Sequence, residues 1–354
     1  MKKITPLVLL SSWLLSVPLE AKIELTKLTI EGRENPLGLD ITEPRFGWQI
    51  MSDQTNVKQK SYQIIVASTK ELLDNDNGDV WNSGIVKSND SQWITLPQQV
   101  KLHPGQQYYW KVWINTNKGK SAWSSSSSWS TGLLTKDQWK GQWIGIDSVM
   151  PWDRVERHSR LSARYLRKAF ALNGLSVKRA MIYISGLGNY TLNINGQRVG
   201  KDVLTPLPTD YTKTVAYDTY DVTSVLQKNN VIGVTLSGGH YFAQTQNFQT
   251  NVRTTYGQPR LLANLIVEYA DGTCQTVATD STWRIMADGP IRYANEYDGE
   301  LFDANLKCRD WMLCGFDDSQ WTKAQVMTEP GGMLRGNLSP NMHIGVVLKI
   351  SNYE

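Results

Sequence analysis

The chain has 354 residues, 40% of them hydrophobic and 20% charged, with a formal net charge of +4. That length admits two or three ordinary domains with real cores. Lys and Arg are scattered between carboxylates, and no basic tract interleaves with aromatics, so nucleic-acid binding is excluded as an expectation. The 14 tryptophans and 15 tyrosines are many for the length; core packing claims most of them and sugar-stacking platforms one or two.

In residues 1–21, Lys2 and Lys3 precede an apolar run from Ile4 to Val17, and Leu19-Glu20-Ala21 can end as a cleavage site. The segment reads as an export signal, too short for a membrane span and separate from the fold. No cysteine stands beside the cleavage site, so no lipid anchor is expected. No membrane-spanning candidate follows, and the mature protein is expected to be periplasmic or secreted.

Residues 22–136 read as one small β-domain. Ile23, Leu25, Leu28 and Ile30 mark a strand, and SYQIIVAS, QWITL, YYWKVWINT and SSWST supply more. WNSGIVKS is a short edge segment, and Lys118-Gly119 a turn. In YYWKVWINT, Tyr109, Lys111 and Trp113 face one way and Trp110, Val112 and Ile114 the other, the period of two that a strand imposes. Seven or so short strands at regular spacing argue a sandwich, and the YYWKVWINTNKGKSAWS run resembles the late strands of fibronectin type III domains. Ser124–Ser128 is a strand edge or loop.

The boundary falls near Leu134–Lys140, and Trp143-Ile144-Gly145 opens the next strand. VKRAMIYISG and TLNINGQRVG follow. Asn195-Gly196 tolerates positive φ at both central turn positions and predicts a hairpin. The loop Thr205–Tyr211 carries two prolines and cannot continue a central strand. Alternation resumes over Tyr217–Val222, with a short helical turn at Ser224–Gln227. VIGVTLSGG, LLANLIVEYADGT with its Asp271-Gly272 turn, QTVATDSTWRI and PIRYANEYDGE complete the set.

The ordered blocks INGQRVG, LTPLPTDY, YDTYDVT, NNVIGVTLSGGHYF, TTYGQPRLLANLIVEYADGT, GPIRYANEYDGELFDAN and GFDDSQW resemble the N-terminal, non-catalytic module of bacterial α-L-rhamnosidases (glycoside hydrolase family 78). ENPLGLD with PRFGW resembles the way such enzymes begin. The resemblance implies an all-β chain of two consecutive β-sandwiches: a fibronectin type III/Ig-like domain over 22–136, then a galactose-binding-like jelly roll over 137–328. Residues 329–354 resemble the bridge into a following β-domain. The resemblance also makes ARYLRKAFAL a strand, against its helical propensity.

In that family the acid and base carboxylates lie on a helical (α/α)₆ barrel, which this chain lacks. The resemblance therefore implies no catalytic residue here. It implies an accessory part of an inverting hydrolase of terminal α-L-rhamnose, packed in the full-length enzyme on its own catalytic barrel; the alternative is a free-standing glycan-binding or structural protein.

Glycoside hydrolysis needs two carboxyls across the scissile bond. On a strand, Glu296, Asp298 and Glu300 would share one face, about 6–7 Å between neighbours, although Gly299 suggests a bulge. A structural polar cluster, a sugar site and a calcium site are the other readings of these three. Some relatives bind rhamnose with calcium in the corresponding module, which makes Ca²⁺ a candidate cofactor and rhamnose-containing glycans the expected partners. The loop candidates are Asp202, Asp210, Tyr211, His240, Tyr241 and Glu296. This chain departs from the pattern: Leu207-Pro208-Thr209-Asp210-Tyr211 stands where many relatives have Gly-Trp-Thr-Asp-Tyr, and Gly200-Lys201 displaces Asp202. Asp210 also suits a turn cap. His240 has no second histidine at ligand spacing, which argues against zinc. Of Cys274, Cys308 and Cys314, the last two are the preferred disulfide pair, with three unpaired thiols as the alternative.

Overall fold

The computed structural model describes residues 22–155, 160–174, 176–243, 245–246, 253–306, 308–336 and 339–345. The expected export signal lies outside them. Among the described residues the only α-helix is Lys70–Asp74, capped by the Thr69 side chain, and no helix is long and apolar enough to cross a membrane. Everything else of regular structure is strand or single 3₁₀ turns. The chain divides into two units, 22–34 with 45–96 and 109–127, and 35–44 with 97–108 and 128–345.

In the first unit, β1 (Ile23–Ile30) pairs antiparallel with β2 (Arg45–Ser52), and Ile94–Thr95 extends that sheet. A second sheet pairs β3 (Gln59–Ala67) with β4 (Gln107–Thr116), flanked by Trp81–Asn82 and Gly119–Lys120. The expected alternation of β4 holds. Trp110, Val112 and Ile114 are fully buried, and Trp110 meets Phe46 edge-on at 4.9 Å. On the other face Lys111 buries its stem under Trp123 and reaches Asp76 at 2.5 Å. The unit is thus held by an aromatic core, in which Trp48 donates its indole N–H to Gln59 at 3.1 Å.

The second unit is a sandwich of two sheets. One runs Gln197–Arg198, β7 (Asn189–Ile194), β9 (Asn229–Ser237), β5 (Arg164–Ala171), β12 (Arg284–Met286) and Thr322–Lys323. The other runs Gln325–Val326, Ile144–Gly145, β10 (Arg260–Tyr269), β6 (Val177–Leu187), β8 (Thr214–Asp221) and β15 (Met333–Gly336), with β11 (Cys274–Ala278) also on β10. A separate hairpin joins β13 (Ile291–Asn295) to β14 (Gly299–Phe302). Side chains of both inner faces, among them Leu166, Ile182, Ile184, Leu192, Val234, Leu265 and Trp283, form one core.

ARYLRKAFAL is the strand β5. Tertiary pairing with β9 and β12 overrides its helical propensity. Asn195-Gly196 is the expected hairpin turn, with φ of 53° and 78°. Asn195 adds what propensity does not show: its side chain donates to the Val225 carbonyl and Asn230 and accepts from Val231 N–H, tying the turn to β9.

Residues from 329, assigned by sequence to a following domain, here continue the second sheet. β15 runs parallel to β8, and Met342–His343 pairs with Asp202–Val203. All three cysteines are free here, Cys274 and Cys314 exposed and Cys308 half-buried.

Candidate functional site

The loop after β9 is built on Gly238-Gly239. Gly239 has φ +48°, and a Cβ there would lie 2.8 Å from the Asn189 backbone nitrogen, so only glycine fits. Its N–H donates to the Ala294 carbonyl and its own carbonyl accepts from Glu296 N–H. These two bonds stitch the loop to the β13–β14 hairpin and bring His240 to Glu296. The His240 Nδ1 and Glu296 Oε2 atoms are hydrogen-bonded.

Around this pair stand three tyrosines. Tyr211, at the end of the proline loop, packs edge-on against Tyr241 and Tyr256, both at 5.0 Å. Tyr241 and Tyr256 stack at 5.8 Å, and the His240 ring lies 6.3 Å from Tyr211 and 6.1 Å from Tyr256. Tyr211 and Tyr241 are buried, among Leu187, Val215 and Leu262; burial raises both hydroxyl pKa values. Tyr256 is 45% exposed. The accessible part is therefore an aromatic ring, an imidazole and a carboxylate, on a frame of two buried tyrosines. Such a group can stack a sugar's C–H face and pair its hydroxyls.

Four of the eight residues expected from sequence, Tyr211, His240, Tyr241 and Glu296, meet here. Tyr256 was missed, although it sits within the TTYGQPR block. The other four do not join.

Glu296, Asp298 and Glu300 do not share a strand face. The turn between β13 and β14 falls at Glu296–Asp298, with Asn295 opposite Gly299. The cause is Asn295, whose Oδ1 accepts from the N–H groups of Tyr297 and Asp298, while its Nδ2 donates to Asp298. Gly299 takes the positive φ that closes the turn. Glu300 is exposed on β14.

Asp210 caps its own turn. Its Oδ1 accepts from Thr212 N–H and Oγ1, its Oδ2 faces Lys213 at 3.0 Å, and these bonds hold its pKa below the usual value. Asp202 belongs to a polar network instead. It accepts from Tyr220 at 2.7 Å and Asn341 at 2.8 Å, and His343 lies at 3.2 Å. Asn341 also donates to Asp218, whose carboxylate takes Tyr190 and Thr205 as well. The YDTYD spacing, with Asp218 and Tyr220 two apart on one face, was the available signal.

Calcium, expected from the resemblance, would have to draw on carboxylates that already have partners here. Asp202, Asp210 and Glu296 each spend carboxylate oxygens on hydrogen bonds. Among the described residues no three His, Cys, Asp or Glu side chains converge as metal ligands.

The same unit carries a cavity of about 660 Å³ lined by Trp139, Trp143, Leu262, Met327, Leu334 and Arg335. Trp143 and Leu262 belong to the cluster under Tyr211.

Fold and site first define a class: an immunoglobulin-type sandwich followed by a jelly roll, with an aromatic and acidic cluster at the loops of the second. Comparison with known proteins narrows it. Residues 175–345 match the model of the alpha-L-rhamnosidase N-terminal domain, and residues 25–135 that of the Rha78A-like, N-terminal immunoglobulin domain. An α-L-rhamnosidase of Formosa agariphila is 33% identical over 331 residues, 92% of this chain and 35% of that protein. One from Alteromonas sp. is 32% identical over 89% of this chain and 34% of its own length. The solved α-L-rhamnosidase of Dictyoglumus thermophilum superposes with a TM-score of 0.79 at 34% identity, covering 90% of this chain and 35% of that one. The Streptomyces avermitilis enzyme, solved with L-rhamnose, shares the fold at a TM-score of 0.77 and 24% identity, over 88% of this chain and 45% of that one. The chain thus carries two domains that occur at the N-terminus of α-L-rhamnosidases, and it spans about a third of the length of these two relatives.

Proposed function

We propose that this chain serves an exported α-L-rhamnosidase that removes terminal α-L-rhamnose, and that its own part is to grip rhamnose-containing glycan rather than to cut it. The observation that carries this reading is the meeting of His240, Glu296 and Tyr256 on the buried Tyr211–Tyr241 frame. Hydrolysis needs a second carboxyl across the scissile bond. Here Asp298 is tied back to Asn295, and Glu300 sits on the outgoing strand.

The β13–β14 hairpin that carries Glu296 also exposes Tyr297, Leu301 and Phe302. An apolar group of that kind suits packing against a neighbouring domain, and the catalytic barrel of the whole enzyme is the proposed neighbour. The reading of residues 1–21 as an export signal places the mature protein in the periplasm or outside the cell.

Titration calorimetry of L-rhamnose into the chain, with and without calcium, tests the reading. Heat of binding at millimolar sugar is expected, unchanged by calcium and lost in Tyr256→Ala and Glu296→Gln, while a chromogenic α-L-rhamnoside stays uncleaved. Absence of heat, or turnover that disappears in Glu296→Gln, would sink it.

A further inference from the structure

A second concave site lies in the first unit. A groove of about 320 Å³ is lined by Lys27, Glu34, Arg45, Gln49, Gln92 and Trp93. That volume is at the low end of the roughly 300–1,000 Å³ typical of small-ligand sites, enough for a sugar ring. Trp93 is 57% exposed, and it does not lie loose. The Arg45 guanidinium covers its ring at 4.4 Å from the centroid. Arg45 is itself locked by Glu31, which accepts from its Nε and from its backbone N–H. Nη1 of Arg45 is left without a protein partner among the described residues.

The backbone around the groove is unusual in the same direction. Lys27, Glu31 and Trp93 all have positive φ, at 46°, 52° and 60°, a conformation disfavoured for side-chain-bearing residues other than Asn and Asp. The register of β1 slips between Thr26 and Thr29, a bulge that re-aims Lys27. Strained residues gather where a ligand is held. The Ile30–Arg33 hairpin turn accounts for Glu31 and the bulge for Lys27, which leaves Trp93, whose outward ring forgoes burial.

We propose that this groove is a carbohydrate-binding cleft, separate from the Tyr211–Glu296 cluster, which holds one pyranose ring against the exposed part of the Arg45-backed Trp93 ring. The groove's chemistry selects the ligand class. The charges of Lys27 and Arg45 are balanced by Glu31 and Glu34, so no anion is favoured. The side chains of Lys27, Glu34, Gln49 and Gln92 have no hydrogen-bond partner among the described residues, and amides beside a carboxylate match the paired donors and acceptors of adjacent sugar hydroxyls. An aromatic plane ringed by such groups fits a neutral sugar better than a peptide or a nucleotide.

The test is tryptophan fluorescence of the whole chain during titration with L-rhamnose, D-galactose, D-glucose and D-galacturonate, each to millimolar concentration. Trp93→Gly removes the ring yet accepts the positive φ, so it keeps the backbone. Tyr256→Ala reports on the other site. At least one neutral sugar is expected to bind with a fluorescence change that weakens about tenfold or more in Trp93→Gly. Its thermal melt should be unchanged, and Tyr256→Ala should still bind. No response to any of the sugars, a response to galacturonate alone, or equal binding by Trp93→Gly would overturn the cleft. Binding lost in Tyr256→Ala but kept in Trp93→Gly would overturn it while leaving the first site in place.

Discussion

Asp202 and Cys308 show what a single residue owes to its surroundings. In sequence Asp202 is a loop carboxylate free to meet a sugar. In the fold Tyr220 and Asn341 donate to it, so it is a joint of the polar network. Nothing local to Gly200-Lys201-Asp202 announces Asn341, which lies 139 positions away. Cys308 is half-buried beside Trp311 and Trp321, and burial pushes its thiol up to about 11. The sign follows from desolvation, which disfavours the thiolate. Iodoacetamide at pH 8 is therefore expected to modify exposed Cys274 and Cys314 first, with Cys308 reacting only as the pH climbs towards 11. Peptide mass spectrometry against time reads this order; a Cys308–Cys314 disulfide, or Cys308 reacting first, would contradict it.

At the scale of elements, β5 is the instructive one. Its residues favour a helix, and the strand is fixed from outside by pairing on both edges. Arg167, mid-strand and only 2% exposed, anchors the GFDDSQW segment. It is ion-paired with Asp318, donates to the Trp311 and Leu313 carbonyls, and lies 5.3 Å from the Phe316 ring centroid. Trp321 packs on Trp311 and Phe316 from the same turn. Removing Asp318 strands a buried guanidinium, so Asp318→Ala should cost about 3 kcal/mol in urea unfolding. Arg167→Met keeps the stem's packing and leaves Asp318 near Arg284, at 3.7 Å, so it should cost less. Equal stability of Asp318→Ala and the parent would remove this account. The motif was legible in sequence; its partner strand was not, because an ion pair spanning 151 positions leaves no periodic trace.

For the molecule as a whole, the segment after Thr328 matters most. It was expected to start something new, yet it completes the second unit. β15 covers the edge of β8, Asp40 accepts from Gly336 N–H at 3.0 Å, and Asn341 bridges Asp202 and Asp218. A chain ended at Thr328 would bare the β8 edge and strip buried Asp218 of a donor. It is expected to melt several degrees lower, as a loss of about 2 kcal/mol or more implies, and to aggregate more readily through the open edge. A differential scanning trace matching that of the longer chain would show that the segment is passive.

The sequence by itself determined the strands, most turns and the family resemblance. A period of two, Asn-Gly and Asp-Gly turns and ordered motif blocks all act over a few residues, and their physics is complete within that span. It also supplied four members of the aromatic and acidic cluster, since glycine and proline punctuation marks where loops must fall. Only the tertiary structure decided which carboxylates stay available. Asp202 is taken by Tyr220 and Asn341, Asp210 by its own turn, and Asp298 by Asn295, while Glu296 is delivered to His240 by two backbone bonds across 56 positions. Hydrogen-bond partners are chosen by proximity in space, and proximity is what folding, not residue order, creates.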